Sequence, residues 1–168
     1  MQRCKGFTLI ELIVVVILIG IIAAVAGLNL VNYTLNRNLK SAARDVASDF
    51  AICKQRAISE NVPYQILFVP GGAGSYTIQQ LDSVTLMPVI ATAVTKRPSE
   101  FGKDIYIDSA NFGPALSDRV NFDMRGTVFP LGNPAPSGDG VVLKNSRNSS
   151  ATVTVSATGR TYVTFNIN

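Results

Sequence analysis

Residues 7–30 read FTLIELIVVVILIGIIAAVAGLNL, and this stretch decides the fold. No residue from Leu12 to Asn36 carries a formal charge. At about 1.5 Å per residue, some 20 apolar residues carry a helix across the hydrocarbon core of a bilayer, so the run is long enough to span. Its interruptions, Gly20 and Gly27, are tolerated in a membrane helix. The alternative is the core helix of a soluble domain, but such helices rarely run this far without charge. Arg3 and Lys5 precede the run, which predicts a cytoplasmic N-terminus with the remainder exported. A cleaved secretory signal opens in the same way, and IAAVAG at 22–27 offers it small residues. Glu11 argues against that reading, because a carboxylate inside an apolar segment is expensive in lipid and needs a partner.

Gly6-Phe7-Thr8-Leu9-Ile10-Glu11 followed by LIVVVILIGIIAAVA resembles the type III signal of type IV pilins and secretion pseudopilins. The matching features are a short basic leader, a Gly-Phe junction, a glutamate soon after it and then the apolar helix. The resemblance implies that a membrane aspartyl peptidase cuts after Gly6, that the new terminal residue Phe7 is N-methylated, and that the apolar segment is retained. It also implies that Glu11 pairs with the α-ammonium of Phe7, on its own chain or on a neighbour's, as the subunit passes from membrane to helical filament. Thr8 either orients the new terminus or is a neutral residue at the helix start. A buried pair of this kind fixes registry more than it adds stability. The partners implied are other pseudopilins or pilins through the N-terminal helix, the prepilin peptidase/methyltransferase, and inner-membrane lipid. One departure is that many pilins carry a proline late in this helix, whereas Leu28 stands there and the first proline is Pro63.

Composition limits the chemistry. The 168 residues, about one domain's worth, are 47% hydrophobic and 15% charged, with mean hydropathy +0.27, too apolar for a disordered chain. The absence of histidine removes Ser-His-Asp and Cys-His machinery and imidazole zinc sites. Cys4 and Cys53 form neither a CxxC pair nor a four-cysteine metal site, and Cys4 leaves with the leader. Cys53 reads as a buried small hydrophobe. Asp104 and Asp108 read as two solvated aspartates rather than a calcium loop. No enzyme activity, cofactor or metal is expected.

Helical periodicity continues beyond the apolar run. Leu35, Leu39, Ala43, Val46, Phe50, Cys53 and Ala57 share one face, with charged residues elsewhere, and Asn61 and Pro63 end the helix. The pattern then switches to period two. Strands are expected at 64–69, 75–81, 104–108, 120–123, 126–129, 141–144, 151–156 and 161–167, with 70–74 and 157–160 as hairpin turns. The remainder of 82–119 has little pattern. The fold class is α+β: a long N-terminal helix, half transmembrane and half amphipathic, packed on an antiparallel β-rich C-terminal domain. The expected organisation is a leader at 1–6, a transmembrane and filament-core helix at 7–35, an amphipathic helix at 36–62 and a periplasmic β-rich domain at 63–168.

Phe122-Asp123-Met124-Arg125-Gly126-Thr127-Val128, Val153-Thr154-Val155-Ser156 and Gly159-Arg160 resemble the GspH/FimT branch of the pseudopilins. That resemblance implies a pilin-like fold and a minor pseudopilin at the tip or initiation of a type II secretion pseudopilus. The alternative is a FimT-type minor pilin serving pilus biogenesis, adhesion or DNA uptake. Either would be a single-pass inner-membrane protein later extracted into a periplasmic or envelope-spanning filament. Gly126 and Gly159 are read as turn glycines with positive φ. Lys144, Arg147 and Arg160 lie in an acid-free stretch at 140–168, a small basic patch for a neighbouring subunit or for DNA. DNA-binding modules normally carry a denser footprint.

Overall fold

The computed structural model describes residues 8–72, 74–113, 118–129 and 140–168, and of 25–32 the backbone alone. The chain divides into two compact units, Met1–Thr34 and Leu35–Asn168. Helix α1, Leu9–Glu60, has 52 residues and supplies an element to each. In the first unit every described side chain from Leu9 to Ala24 is exposed. Among the described residues, no helix is long and apolar enough to cross a membrane.

In the second unit α1 is amphipathic as its spacing requires. Leu39, Ala43, Val46, Phe50, Cys53 and Ala57 are buried, while Leu35 is half-buried. Asn61 ends the helix in the left-handed region at φ 54°, a conformation asparagine tolerates at this position.

Among the described residues eight strands follow: β1 (Tyr64–Val69), β2 (Ser75–Leu81), β3 (Pro88–Lys96), β4 (Tyr106–Asn111), β5 (Arg119–Phe122), β6 (Gly140–Lys144), β7 (Ser150–Val155) and β8 (Thr161–Asn166). They form two four-stranded sheets, ordered β3-β2-β1-β5 and β4-β6-β7-β8. All pairings are antiparallel. The helix with its antiparallel sheets is the α+β architecture expected of this chain.

Phe50 of α1 is the centre of the core. Its ring lies 5.9 Å from Phe68, 6.0 Å from Phe112 and 6.3 Å from Phe122. Such tilted and edge contacts suit the ring quadrupole. Gln65 fixes the register of the first sheet from within. It stands opposite both Gln79 and Asn121, accepts a bond from the Gln79 side chain at 2.8 Å and donates one to Asn121 Oδ1 at 2.7 Å.

Three strand expectations need correction. The 104–108 strand begins later, at Tyr106, because Ile105 closes a turn onto Gly102. The 126–129 segment forms a single bridge, Val128 to Phe122, and no strand. The Asp123 carboxylate captures its backbone instead, accepting from Arg125 N at 2.9 Å and Thr127 N at 2.8 Å. The stretch read as patternless contains β3, which starts on a proline, as an edge strand allows.

Candidate functional site

Thr8 sits at the start of α1. Its carbonyl accepts from Leu12 N at 3.3 Å and its hydroxyl from Glu11 N at 3.4 Å. These contacts make Thr8 the helix cap, with Glu11 three residues on, where a carboxylate complements the helix dipole. Thr8 therefore holds the backbone that carries Glu11. Glu11 is exposed among exposed apolar side chains, with Leu9 at 77% and Ile10 at 71%. The described residues 8–24 contain no Lys or Arg, so a water-excluding environment has to supply the counter-charge from elsewhere. Gly6 and Phe7 lie outside the described residues.

The three basic candidates do not form one patch. Lys144 at the end of β6 faces Ser150 at the start of β7, and Arg147 follows in the intervening turn. Arg160 lies in the turn beyond the other end of β7, where Val155 faces Thr161. About 3.3 Å per residue of β7 separates the two ends. Lys144 also pairs with Asp108 at 2.9 Å, and that hydrogen bond and charge raise its pKa. Arg147 N donates to Asn145 Oδ1 at 3.1 Å, and the Arg160 backbone closes its turn on Ser156. The two aspartates read from the sequence also separate in role, because Asp104 accepts from Ser146 Oγ at 3.4 Å whereas Asp108 holds Lys144.

The turn glycines form a structural clasp. Gly126 and Gly159 have φ of 75° and 71°. A Cβ on Gly159 would come within 2.5 Å of the Gly126 carbonyl oxygen, and one on Gly126 within 2.7 Å of Ile58 Cδ1. Lys54 crosses both and donates to the Thr158 carbonyl at 2.9 Å. Val128 N donates to the Ala157 carbonyl at 2.9 Å. The residues of the Phe122–Val128 motif and of the β7–β8 turn are thus fastened to each other and to α1.

Sequence reasoning missed one cluster. Asp49 occupies the charged part of the helical pattern yet is 3% exposed. Tyr76 OH donates to it at 2.6 Å, and Lys96 Nζ lies 2.8 Å from its Oδ1. Burial lowers the Lys96 pKa, but the Asp49 hydrogen bond and charge outweigh it and raise the value overall. Burial and the same carboxylate push Tyr76 far upward. The signal was hidden because Lys96 belongs to β3. Nearby, burial and the Asp49 charge push the Cys53 thiol up to about 12, which leaves it unreactive.

These features define a helix-led α+β structural module with an unpartnered apolar start. The family model described as "Prokaryotic N-terminal methylation motif" matches residues 1–27. That match spans Arg3, Lys5, Gly6, Phe7, Thr8 and Glu11. The "Type IV narrow pilus major component PilA5" of Thermus thermophilus is 34% identical over 107 residues, covering 61% of this chain and 92% of that protein. A crystal structure of the type IV minor pilin FimU of Pseudomonas aeruginosa aligns with a TM-score of 0.48 at 14% identity, covering 75% of this chain and 92% of that one. The chain belongs to the type IV pilin-like family, whose members are structural subunits that assemble with other pilins.

Proposed function

We propose that this chain is made as a membrane-anchored precursor, is cut between Gly6 and Phe7 and N-methylated at Phe7, and is then built as a structural subunit into a filament of the type IV pilus class. The apolar segment at 7–35 anchors the precursor in the inner membrane, and the β-rich unit faces the periplasm. The observation that carries this reading is Glu11, held by the Thr8 cap on an exposed apolar segment whose described residues, 8–24, contain no Lys or Arg. In lipid or in a filament core, the α-ammonium of Phe7, its own or a neighbour's, supplies the missing charge. The 34% identity to a pilus component supports the pilus over the secretion pseudopilus.

The secretion pseudopilus, which the sequence resemblance placed first, is the second reading. Its support is the resemblance of Phe122–Val128 and Gly159-Arg160 to the GspH/FimT branch, which serves both systems. DNA uptake has weaker support, because Lys144 and Arg160 lie at opposite ends of β7.

Crosslinking in native membranes, with partners and the N-terminal peptide identified by mass spectrometry, tests the proposal. A mature terminus at Phe7 with crosslinks to a major pilin is the expected result. Crosslinks confined to secretion pseudopilins move the chain to the second reading. An uncut Gly6–Phe7 bond in the assembled protein sinks both.

A further inference from the structure

The second unit carries two unpartnered surfaces on opposite flanks of α1. On a helix of 3.6 residues per turn, Asp45 and Asp49 lie within about 40° of each other, and Lys40, Lys54 and Ile58 lie about 160–200° round from them. The buried face of Val46, Phe50 and Ala57 falls between. Asp45 and Asp49 hold Tyr76 of β2 and Lys96 of β3. On the other flank, Lys40 lies over the Phe165 ring of β8 and Lys54 binds the β7–β8 turn. The outer edges of the two sheets, β3 and β8, therefore emerge on opposite sides of the helix.

The β3 side ends in an apolar tip. Val84 is 87% exposed, Met87 67% and Ile90 84%. Water-facing side chains of this size, contiguous in one hairpin, mark an interaction site. The tip is preformed: Asp82 Oδ1 accepts from Val84 N at 3.0 Å, Thr85 N at 2.7 Å and Thr85 Oγ1 at 2.9 Å. Asp82 is the one charged residue between Leu81 and Val94. Leu81 N donates to the Pro63 carbonyl, so the hairpin leaves beside the C-terminal end of α1.

The β8 side offers a groove at the same end of α1. It has a volume of about 530 Å³ and is lined by Ala51, Lys54, Gln55, Ile58, Gly159 and Thr161. Among the described residues no acid lines it, and Lys54 does. Exposed Arg125 and Arg160 adjoin the two glycines that close over Lys54. Of the acids nearest in sequence, Glu60 follows Ser59 of the lining and accepts from the Tyr64 hydroxyl, and Asp123 is bonded to Arg125 N and Thr127.

We propose that the β2–β3 tip of one subunit docks into the α1/β7–β8 groove of a second copy of this chain, with Asp82 facing Lys54 and Arg160. The inference rests on the filament reading and adds to it a contact between globular units. An apolar, singly acidic tip and an apolar, basic groove on opposite flanks are complementary between copies. Two different patches meeting make a heterologous contact, which propagates along a helix instead of closing as a dimer.

The test uses the full chain with cysteines at Ile90→Cys and Gln55→Cys. Native Cys53 is fully buried and stays silent, and Cys4→Ser removes the other native thiol. A ladder of crosslinked copies is expected when one chain carries both cysteines, and dimers alone when two single variants are mixed. Processed, accumulated protein with no crosslink overturns the contact, as does capture of Ile90→Cys by another class of molecule alone. Ile90→Arg is expected to lower assembled protein at least tenfold by setting a cation against Lys54 and Arg160. Ile90→Asp is expected to lower it twofold or less, and equal losses overturn the charge pairing. Crosslinks are read in both membranes and filaments. A chain present in filaments without the crosslink refutes the contact and leaves the filament reading standing. A crosslink in membranes with no chain in filaments does the reverse.

Discussion

The two halves of α1 are one helix with opposite fates. From Leu9 to Ala24 every side chain is exposed, including Leu12, Val16 and Ile22. From Leu39 to Ala57 the apolar face is sealed by two sheets. The second half satisfies its hydrophobicity within the chain, so its apolar positions alternate with polar ones at helical spacing. The first half is apolar on all sides, so nothing in its own pattern selects a face. Such a segment is completed by lipid or by other chains.

Substitutions that act on one half and leave the other unmoved sharpen this contrast. The largest effect is expected from Glu11→Ala. Filament incorporation falls more than about 100-fold, because losing one partner of the proposed desolvated pair with the Phe7 α-ammonium costs about 3–5 kcal/mol. Cleavage and the urea midpoint of the globular unit stay as in the parent; normal incorporation breaks the assembly role. Next, Phe50→Ala destabilises the globular unit by about 3–5 kcal/mol. Leu18→Ala, a comparable truncation in the first half, leaves the unfolding free energy within about 0.5 kcal/mol of the parent. If both shift it equally, the halves are not energetically separate.

Smaller effects map how the helix holds its sheets. Lys96→Met strands the buried Asp49 and costs about 3 kcal/mol in denaturant unfolding. Tyr76→Phe removes one bond to the same carboxylate and costs about 1–2 kcal/mol. Gly159→Ala places a side chain at φ 71° against the Gly126 carbonyl and costs about 1–3 kcal/mol.

The last effect depends on pH. Cys53 rises from 9.0 to about 12 and Tyr64 from 10.0 to about 12, chiefly through burial, and Lys96 and Tyr76 are also raised. Raised folded values mean the native state holds more protons than the unfolded one in this range. Stability is therefore intact below pH 9 and falls as pH rises toward the folded values. Urea midpoints from pH 7 to 11 are expected to show that decline, with a shallower slope in Cys53→Ala.

Much of this was legible in the sequence. The boundaries of β1 and β2 follow from alternating patterns on either side of Pro70-Gly71-Gly72, and the α1 core face follows from its spacing. Gly126 and Gly159 take the positive φ their turns suggested. β3 was illegible because PVIATAVTK is exposed on most of its length, so burial imposes no alternation. Its bulge, where Thr92 Oγ1 accepts from Gln80 N and donates to the Val89 carbonyl, breaks the period further. Missing β3 also hid Lys96, and with it the reason an aspartate lies under the sheet. The apparent basic patch failed for a different reason: residues close in sequence were separated by an extended strand. The Thr8 and Glu11 arrangement was legible as a motif, and its capping geometry came only with the backbone.

The ties flanking α1 also govern how this unit bears force. Asp49 to Lys96 on one side and Lys54 to the Thr158 carbonyl on the other join α1 to β3 and to the β7–β8 turn. A tensile pull along α1 therefore loads both sides together, so they do not open one after another like a zip. The sheets travel with the helix until the ties and the Phe50 packing yield at once, which makes the globular unit a stiff bead on whatever strand carries it.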